Sequence, residues 1–354
     1  MNRTAVVFSP IYYQHTPGRS HPESAKRLVA IVSELKKNKL SRGKNWQFVE
    51  PKKARIKDVA LVHDTEYIKL IEAVCKSGGG LLDSGDTVAS PKSFNVALYA
   101  VGGTLKAVKL VMEKRFENAF AIVRPPGHHA EKFRAFGFCV FNNIAIAARF
   151  LLEKFGLERI LILDIDAHHG NGTQEVFYET NKVLYISLHQ DPRDFPGTGF
   201  IDEIGEGEGL GYNVNIPLPY GTGDQTYLKA VREIATPIIY QYKPQFMLIS
   251  AGLDGHYTDP VASLSLSALC YQKVYEIIMN LASEICDGRL VSVLEGGYSP
   301  AFVGKIAAAA IARMSGTLYT VNDTVPAIHP RARRQGEKVI EEVKKVQRTF
   351  WNID

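Results

Sequence analysis

Six short apolar runs read as strands: Thr4–Phe8, Ala119–Val123, Ile160–Ile165, Val183–Leu188, Phe246–Ser250 and Leu290–Leu294. Between them the apolar positions recur at helical spacing. His21–Asn38 puts Leu28, Ile31, Val32 and Leu35 on one face, and Asn95–Lys114, Asn143–Phe155, Gln225–Tyr242, Ser267–Ile285 and Pro300–Met314 repeat the pattern. Pro22 near a start and Gly156 at an end mark boundaries. A last amphipathic segment, about 335–350, reads as a solvated packing helix. Strand alternating with helix predicts a mainly parallel sheet with helices on both faces. Ligands in such folds bind at the carboxyl ends of the strands.

Five of the six runs lead into residues able to do chemistry. They are Arg124-Pro-Pro-Gly-His128-His129, Asp164-Ile-Asp166-Ala-His168-His169-Gly170-Asn171, His189-Gln-Asp191, Asp254, and Glu295-Gly-Gly-Tyr298. Ionisable groups at the end of an apolar strand are paired or hold a metal. Asp166 and His168, two apart, point to one side of an extended chain and can grip one ion. A catalytic metal needs a third protein ligand and an open position. Asp254, close behind an apolar strand and flanked by glycines, fits best. Alone it would read equally well as a loop cap; beside Asp166 and His168 it reads as a ligand.

His128 and His129 follow Pro-Pro-Gly, a loop stiffened by proline and bent at glycine. Each imidazole needs an orienting partner, and Asp164 and Asn171 are the candidates. An aspartate partner favours imidazolium, whereas a neutral asparagine does so much less. The chain thus offers one charged histidine and one free to act as base. Tyr298 follows a glycine turn, and its phenol stays protonated near neutral pH, fit to donate to an oxyanion. Phe138 and Phe195 are candidates for apolar walls, although a lone loop Phe more often belongs to a core.

Composition narrows the picture. At 354 residues and 45% hydrophobic content, with no linker-like stretch, one large α/β domain over 1–354 is expected. A net charge of +5, with no basic stripe, argues against nucleic acid. Cys75, Cys139, Cys270 and Cys286 form no C-x-x-C pair and read as buried thiols of an intracellular protein. No signal peptide is apparent and no apolar run looks long enough to span a bilayer, so no membrane and a cytoplasmic location are expected.

The motifs Arg124-Pro-Pro-Gly-His-His-Ala130, Gly137-Phe-Cys-Val-Phe-Asn-Asn143, Asp164 to Gly172, Ser187-Leu-His189, Ser250-Ala-Gly-Leu-Asp254 and Leu294-Glu-Gly-Gly-Tyr298 resemble the histone deacetylase superfamily, in its class II-like and prokaryotic branch. His21-Pro-Glu, Arg27-Leu28, His63-Asp and Glu66-Tyr67 match the family's opening. The resemblance implies an arginase-like three-layer α/β fold around a mostly parallel eight-stranded sheet. It implies a zinc-dependent hydrolase of acetylated amines, with iron(II) as the alternative ion. By position, Asp166, His168 and Asp254 would hold zinc and His129 would be the base and then the acid. His128 with Asp164 would lend electrostatic support, and Tyr298 would polarise the carbonyl. Gly137, Phe138 and Phe195 would line the tunnel, with Gly297 at the substrate and Asp86 gripping substrate backbone at the rim. One structural potassium would use Asp164, Asp166, His168, Ser187 and Leu188. A second would use Phe177, Thr180, Val183 and Tyr212.

The implied substrate is an acetylated lysine peptide or protein, or an acetylated polyamine. Val261 falls where polyamine-selective relatives carry an acid, which disfavours polyamines. Acidic rim residues Asp83, Asp86, Asp191 and Asp194 would draw cationic substrates of either kind. Binuclear manganese ureohydrolases share the fold but carry D-x-H-x-D, and Gly170 here removes the last ligand. An acetyl-lysine-binding scaffold would have lost a ligand or Tyr298, and neither is lost. Oligomeric state is left open.

Overall fold

The computed structural model describes residues 4–37 and 45–354. Ten strands occur among them. They are β1 (Thr4–Val7), β2 (Trp46–Val49), β3 (Gly80–Leu81), β4 (Val88–Ala89), β5 (Asn118–Ala121), β6 (Ile160–Asp164), β7 (Val183–Gln190), β8 (Asn213–Leu218), β9 (Phe246–Ala251) and β10 (Leu290–Leu294). Eight form one sheet in the order β2-β1-β5-β10-β9-β6-β7-β8, and every pairing in it is parallel. β3 and β4 make a small antiparallel hairpin apart from it. Residues of β5, β6, β7, β9 and β10 are buried throughout, as strands covered on both faces must be.

Helices Ser93–Met112 and Asn143–Phe155 pack together on one face of the sheet; Lys26–Lys36, Ala268–Ile285 and Val303–Ser315 cover the other. This is the three-layer α/β architecture expected. All six predicted strands are present, and β7 runs two residues further than predicted. The edge strands β2 and β8 escape the apolar-run criterion because each mixes polar residues into a short segment. The first helix begins at Lys26 rather than His21, and its predicted end, Asn38, lies outside the described residues. The predicted helix over 225–242 is continuous but contains a π-helical turn at Val231–Ala235. Gly156 ends its helix in the left-handed conformation (φ 65°), as its placement predicts. The closing helix is Pro330–Gln347, starting earlier than 335.

One expectation is overturned. Ser93–Met112 is 20 residues long and apolar enough, by length and composition, to cross a membrane. Lys106 and Lys109 interrupt its apolar run, which hides it from a reading that seeks an unbroken stretch. Most of this helix is buried against the sheet and its neighbours.

Register aligns the strand ends that matter. Asp164 is the partner of Ser187 on β7 and of Ser250 on β9, while Leu294 on β10 pairs Ala251. The loops after β6, β9 and β10 therefore leave the sheet side by side, with that after β5 beside them.

A buried ionic network ties the first helix to this end. Arg27, Arg124 and Glu23 are each no more than 1% exposed. Glu23 Oε1 accepts from Arg124 Nε at 2.6 Å and from Arg27 Nη1 at 3.1 Å. Arg124 also donates to the carbonyls of Tyr12 and His15. Arg27 donates to the carbonyls of Gly297 (2.6 Å) and Glu295, which fixes the loop after β10. Burial raises the Glu23 carboxyl, yet Arg124, His15 and Arg27 outweigh it and hold it well below the usual range. Glu23→Ala leaves two buried guanidinium groups without their anion. It is expected to lower stability by about 3–5 kcal/mol, read from the urea midpoint. A loss under about 1 kcal/mol would mean that the backbone acceptors suffice. Because the folded pKa is depressed, this contribution is complete above the unfolded glutamate value of about 4.3. It is lost as pH falls from there through the folded value.

Candidate active site

The chain after β6 turns sharply instead of staying extended, and backbone N–H groups orient its acids. Asp166 N–H donates to Asp164 Oδ1 (3.1 Å) and His168 N–H to Asp166 Oδ1 (2.9 Å). Asp254, three residues past β9, accepts Ala167 N–H at 2.9 Å on one oxygen and meets His168 Nδ1 at 2.9 Å with the other. Gly296 N–H donates to Asp166 Oδ2 at 2.8 Å. One donor atom from each of Asp166, His168 and Asp254 lies within 4.8 Å of the others, and all three residues are buried.

Burial and the nearby Asp166 charge push the Asp254 carboxyl above the usual carboxylate range. Burial opposes the charge on His168, but hydrogen bonds to both aspartates outweigh it and push the imidazole up to about 10. Three buried carboxylates, Asp164, Asp166 and Asp254, thus face two charged imidazoles, His168 and His128, whose Nε2 lies 3.8 Å from Asp166 Oδ2. A divalent cation answers that shortage, and its ligands would release protons as it binds.

The two histidines have opposite surroundings. His128 Nδ1 meets Asp164 Oδ2 at 3.0 Å, and Tyr185 Oη donates to the same oxygen at 3.0 Å. Burial works against a charged His128, but Asp164 and Asp166 prevail and push it up to about 10. His129 Nδ1 meets Asn171 Oδ1 at 2.8 Å. Burial and the neighbouring His128 charge hold His129 well below the usual histidine range. The Asn171 amide nitrogen donates to Glu131 Oε1 at 2.7 Å, so its oxygen faces His129. That oxygen can only accept, which puts the proton on Nδ1 and leaves Nε2 with a free lone pair. Glu131, which fixes the tautomer, carried no sequence signal beyond its nearness to His129.

Tyr298 is 8% exposed, and burial raises its phenol well above the usual value, so it stays protonated. Its N–H and that of Ser299 converge on Asp259 Oδ2 at 2.6 and 3.1 Å. The Arg27 guanidinium lies 4.7 Å from the centre of its ring. Arg27 stood within a quoted motif and Asp259 lies five residues past Asp254, but nothing in their spacing revealed these contacts.

The apolar walls converge. Phe195 packs edge-on to His129 (5.0 Å between ring centres) and His168 (5.7 Å), and Phe138 edge-on to Tyr298 (5.6 Å). Gly137 and Phe138 both have positive φ, 52° and 67°. A Cβ on Gly137 would come within 2.5 Å of the His129 ring and 2.9 Å of Phe195, so only glycine fits. At Gly170 an added Cβ would approach Asp164 Oδ2 at 2.5 Å and Tyr185 Oη at 2.6 Å. Any second-metal ligand there is therefore excluded on space as well as on identity. Gly297 has φ 114° and lends its carbonyl to Arg27.

The acids named for the rim have neighbours of their own. Asp83 is engaged by Gly85 and Thr87, Asp191 by Arg193, and Asp194 by Tyr220. Of these four acids, Asp86 is the one whose carboxylate accepts no hydrogen bond from another of the described residues; its carbonyl meets His21 Nε2 at 2.9 Å. Val261 lies in the loop after Asp254, with its N–H on Asp259. Of the residues assigned to potassium, Asp164, Asp166, His168, Ser187 and Leu188 are buried together where β6 and β7 end. Phe177, Thr180, Val183 and Tyr212 gather toward the start of β7. There Thr180 N–H donates to Phe177 O at 3.3 Å, and Tyr212 O accepts from Tyr185 N–H at 2.9 Å.

Comparison with known proteins gives one answer. The family model described as the histone deacetylase domain matches residues 21–314. A probable deacetylase of Archaeoglobus fulgidus is 43% identical, over 98% of each chain. A histone deacetylase-like amidohydrolase of Pseudomonas aeruginosa is 35% identical, over 88% of this chain and 81% of its own. The crystal structure of the HDA15 HD domain superposes with a TM-score of 0.88 at 32% identity, covering 99% of this chain and 95% of that one.

The two histidines can be told apart in solution. In protein stripped of metal by chelation, ¹⁵N spectra at pH 7.5 are expected to show His128 as imidazolium and His129 as neutral. Asp164→Asn removes the main attraction and lets burial dominate, so His128 should become neutral. A neutral His128 in the unsubstituted protein would sink this assignment.

Proposed function

The chain belongs to the histone deacetylase family, and on that premise we propose that it hydrolyses the acetyl amide of N-acetyl-lysine in proteins or peptides. The deacetylase and amidohydrolase relatives support a hydrolase; the substrate and mechanism are our reading. Its main support is the convergence of three metal-type donors beside one charged and one neutral imidazole. Asp166, His168 and Asp254 would hold zinc, a donor set of oxygen and nitrogen that leaves a position open. When bound, the ion would lower the pKa of a water molecule and polarise the acyl oxygen.

The chain's own residues do the rest. Nε2 of His129 takes the proton of the attacking water and passes it to the departing amine. His128, kept charged by Asp164, stabilises the negative charge that develops beside it. The Tyr298 hydroxyl donates to the oxyanion. Phe138 and Phe195 enclose the aliphatic stem and exclude water. Asp86, at the rim, would take substrate backbone. Two structural potassium ions complete the reading, one near Asp164 and Ser187, the other near Phe177 and Val183.

The test is turnover of an acetyl-lysine peptide against an acetylated polyamine, with and without chelator and restored zinc. Faster, zinc-restored turnover of the peptide is expected. Preference for the polyamine would move the assignment to a small-molecule amidohydrolase and undo the inference from Val261. Zinc bound without activity on either would favour another acyl group or a binding role. Separately, Tyr298→Phe should lower kcat by about two to three powers of ten while bound zinc is unchanged. Unaltered turnover would remove the phenol from the mechanism.

A further inference from the structure

Glu295 takes no part in the chemistry above, yet it sits fully buried between the loops that do. Its Oε2 accepts two backbone hydrogen bonds, from Gly127 N–H at 2.6 Å and His128 N–H at 3.2 Å. Its backbone is fixed as well: the N–H donates to Ala251 O at 3.1 Å, and the carbonyl receives Arg27. On the other side of the histidine loop, His128 O accepts from Thr173 N–H at 3.1 Å. Gly127 is wedged against the backbone of Phe141 and Asn143, where a Cβ would come within 2.5 Å of Asn143 N. The histidine loop is thus gripped from two directions, and Glu295 supplies the grip from β10.

We propose that Glu295 is a positioning residue: by holding the N–H groups of Gly127 and His128 on one carboxylate oxygen, it sets the histidine loop against the loop that carries Tyr298, three residues on. The proposal rests on the roles assigned above to His129 and Tyr298. An apolar side chain here would leave two donors unpaired in a dry interior. An aspartate would fall about 1.5 Å short. What the site requires is an acceptor at that reach, not a charge. Both N–H groups converge on the same oxygen, Oε2. Burial, opposed by His128 and Gly127 N–H, pushes the carboxyl up to about 7, which agrees with a position that tolerates a neutral side chain. Proton transfer and oxyanion stabilisation depend on geometry, and a displacement of about 1 Å costs on the order of a hundredfold in rate.

The test is a pair of substitutions read two ways. Glu295→Gln keeps the acceptor and is expected to hold kcat within about threefold of the unsubstituted enzyme. Glu295→Met keeps length and volume but not the acceptor; kcat should fall about 10- to 100-fold, with KM and zinc content unchanged. Hydrogen–deuterium exchange of the amides in 124–130 should be slow in the unsubstituted enzyme and the Gln variant, and fast in the Met variant. If the Met variant does not fold, Glu295→Asp replaces it with the same expectation. A Met variant with full turnover and protected amides overturns the proposal. So does a Gln variant as impaired as Met, which would make charge the requirement, or a Met variant that loses zinc. Should the unsubstituted protein show no deacetylase turnover, the proposed function fails, and the exchange series still decides whether Glu295 holds the loop.

Discussion

A charge removed from water must meet a partner, and this constraint shapes the functional end of the molecule. Asp164, Asp166, Asp254, His128, His129 and His168 all lie at 8% exposure or less. None is tolerable alone in such surroundings. The structure answers with a dense set of backbone N–H donors from Asp166, Ala167, His168 and Gly296. These acceptor bonds hold the acids in one orientation before any substrate arrives, so little reorganisation is left for the reaction itself.

The same constraint explains how much could be read from sequence. A carboxylate behind an apolar run is conspicuous, so Asp164, Asp166, Asp254 and the histidine pair stood out; the need of each imidazole for a partner pointed to Asp164 and Asn171, and the family resemblance implied which histidine takes Asp164. Central strands are conspicuous for the same reason, being apolar on both faces. The edge strands β2 and β8 answer to neither signal. Trp46-Gln-Phe-Val alternates, and Asn213-Val-Asn-Ile-Pro-Leu carries two buried asparagines that bond to Gln174 and to the carbonyl of Glu203. The supporting contacts of Glu131, Asp259 and Arg27 were invisible because they join segments far apart in the chain. Composition likewise counts the rim carboxylates without showing that Thr87, Arg193 and Tyr220 bond to three of them.

The first helix shows how far such support extends. Arg27 reaches the carbonyls of Glu295 and Gly297 and lies over the Tyr298 ring, while Glu23 binds it to Arg124 just before the histidine loop. One acid and two guanidinium groups thereby join three segments whose side chains would otherwise meet only at the site. The ring of Tyr298 is confined by Arg27 on its face and Phe138 at its edge, and its backbone by Asp259.

The strand order carries a consequence for how the molecule comes into being. β10 is the last strand in the chain, yet it lies between β5 and β9 near the middle of the sheet. Until residue 294 has left the ribosome, β5 and β9 each present an open edge, and the growing chain holds two part-sheets that cannot yet join. Closing them is a long-range event, slow by topology and exposed to misassociation while it waits. The insertion that heals both edges also delivers Glu295 and Tyr298 to the histidines. On the proposed mechanism, the site is therefore completed only when the sheet is sealed, because Tyr298 reaches the histidines with β10.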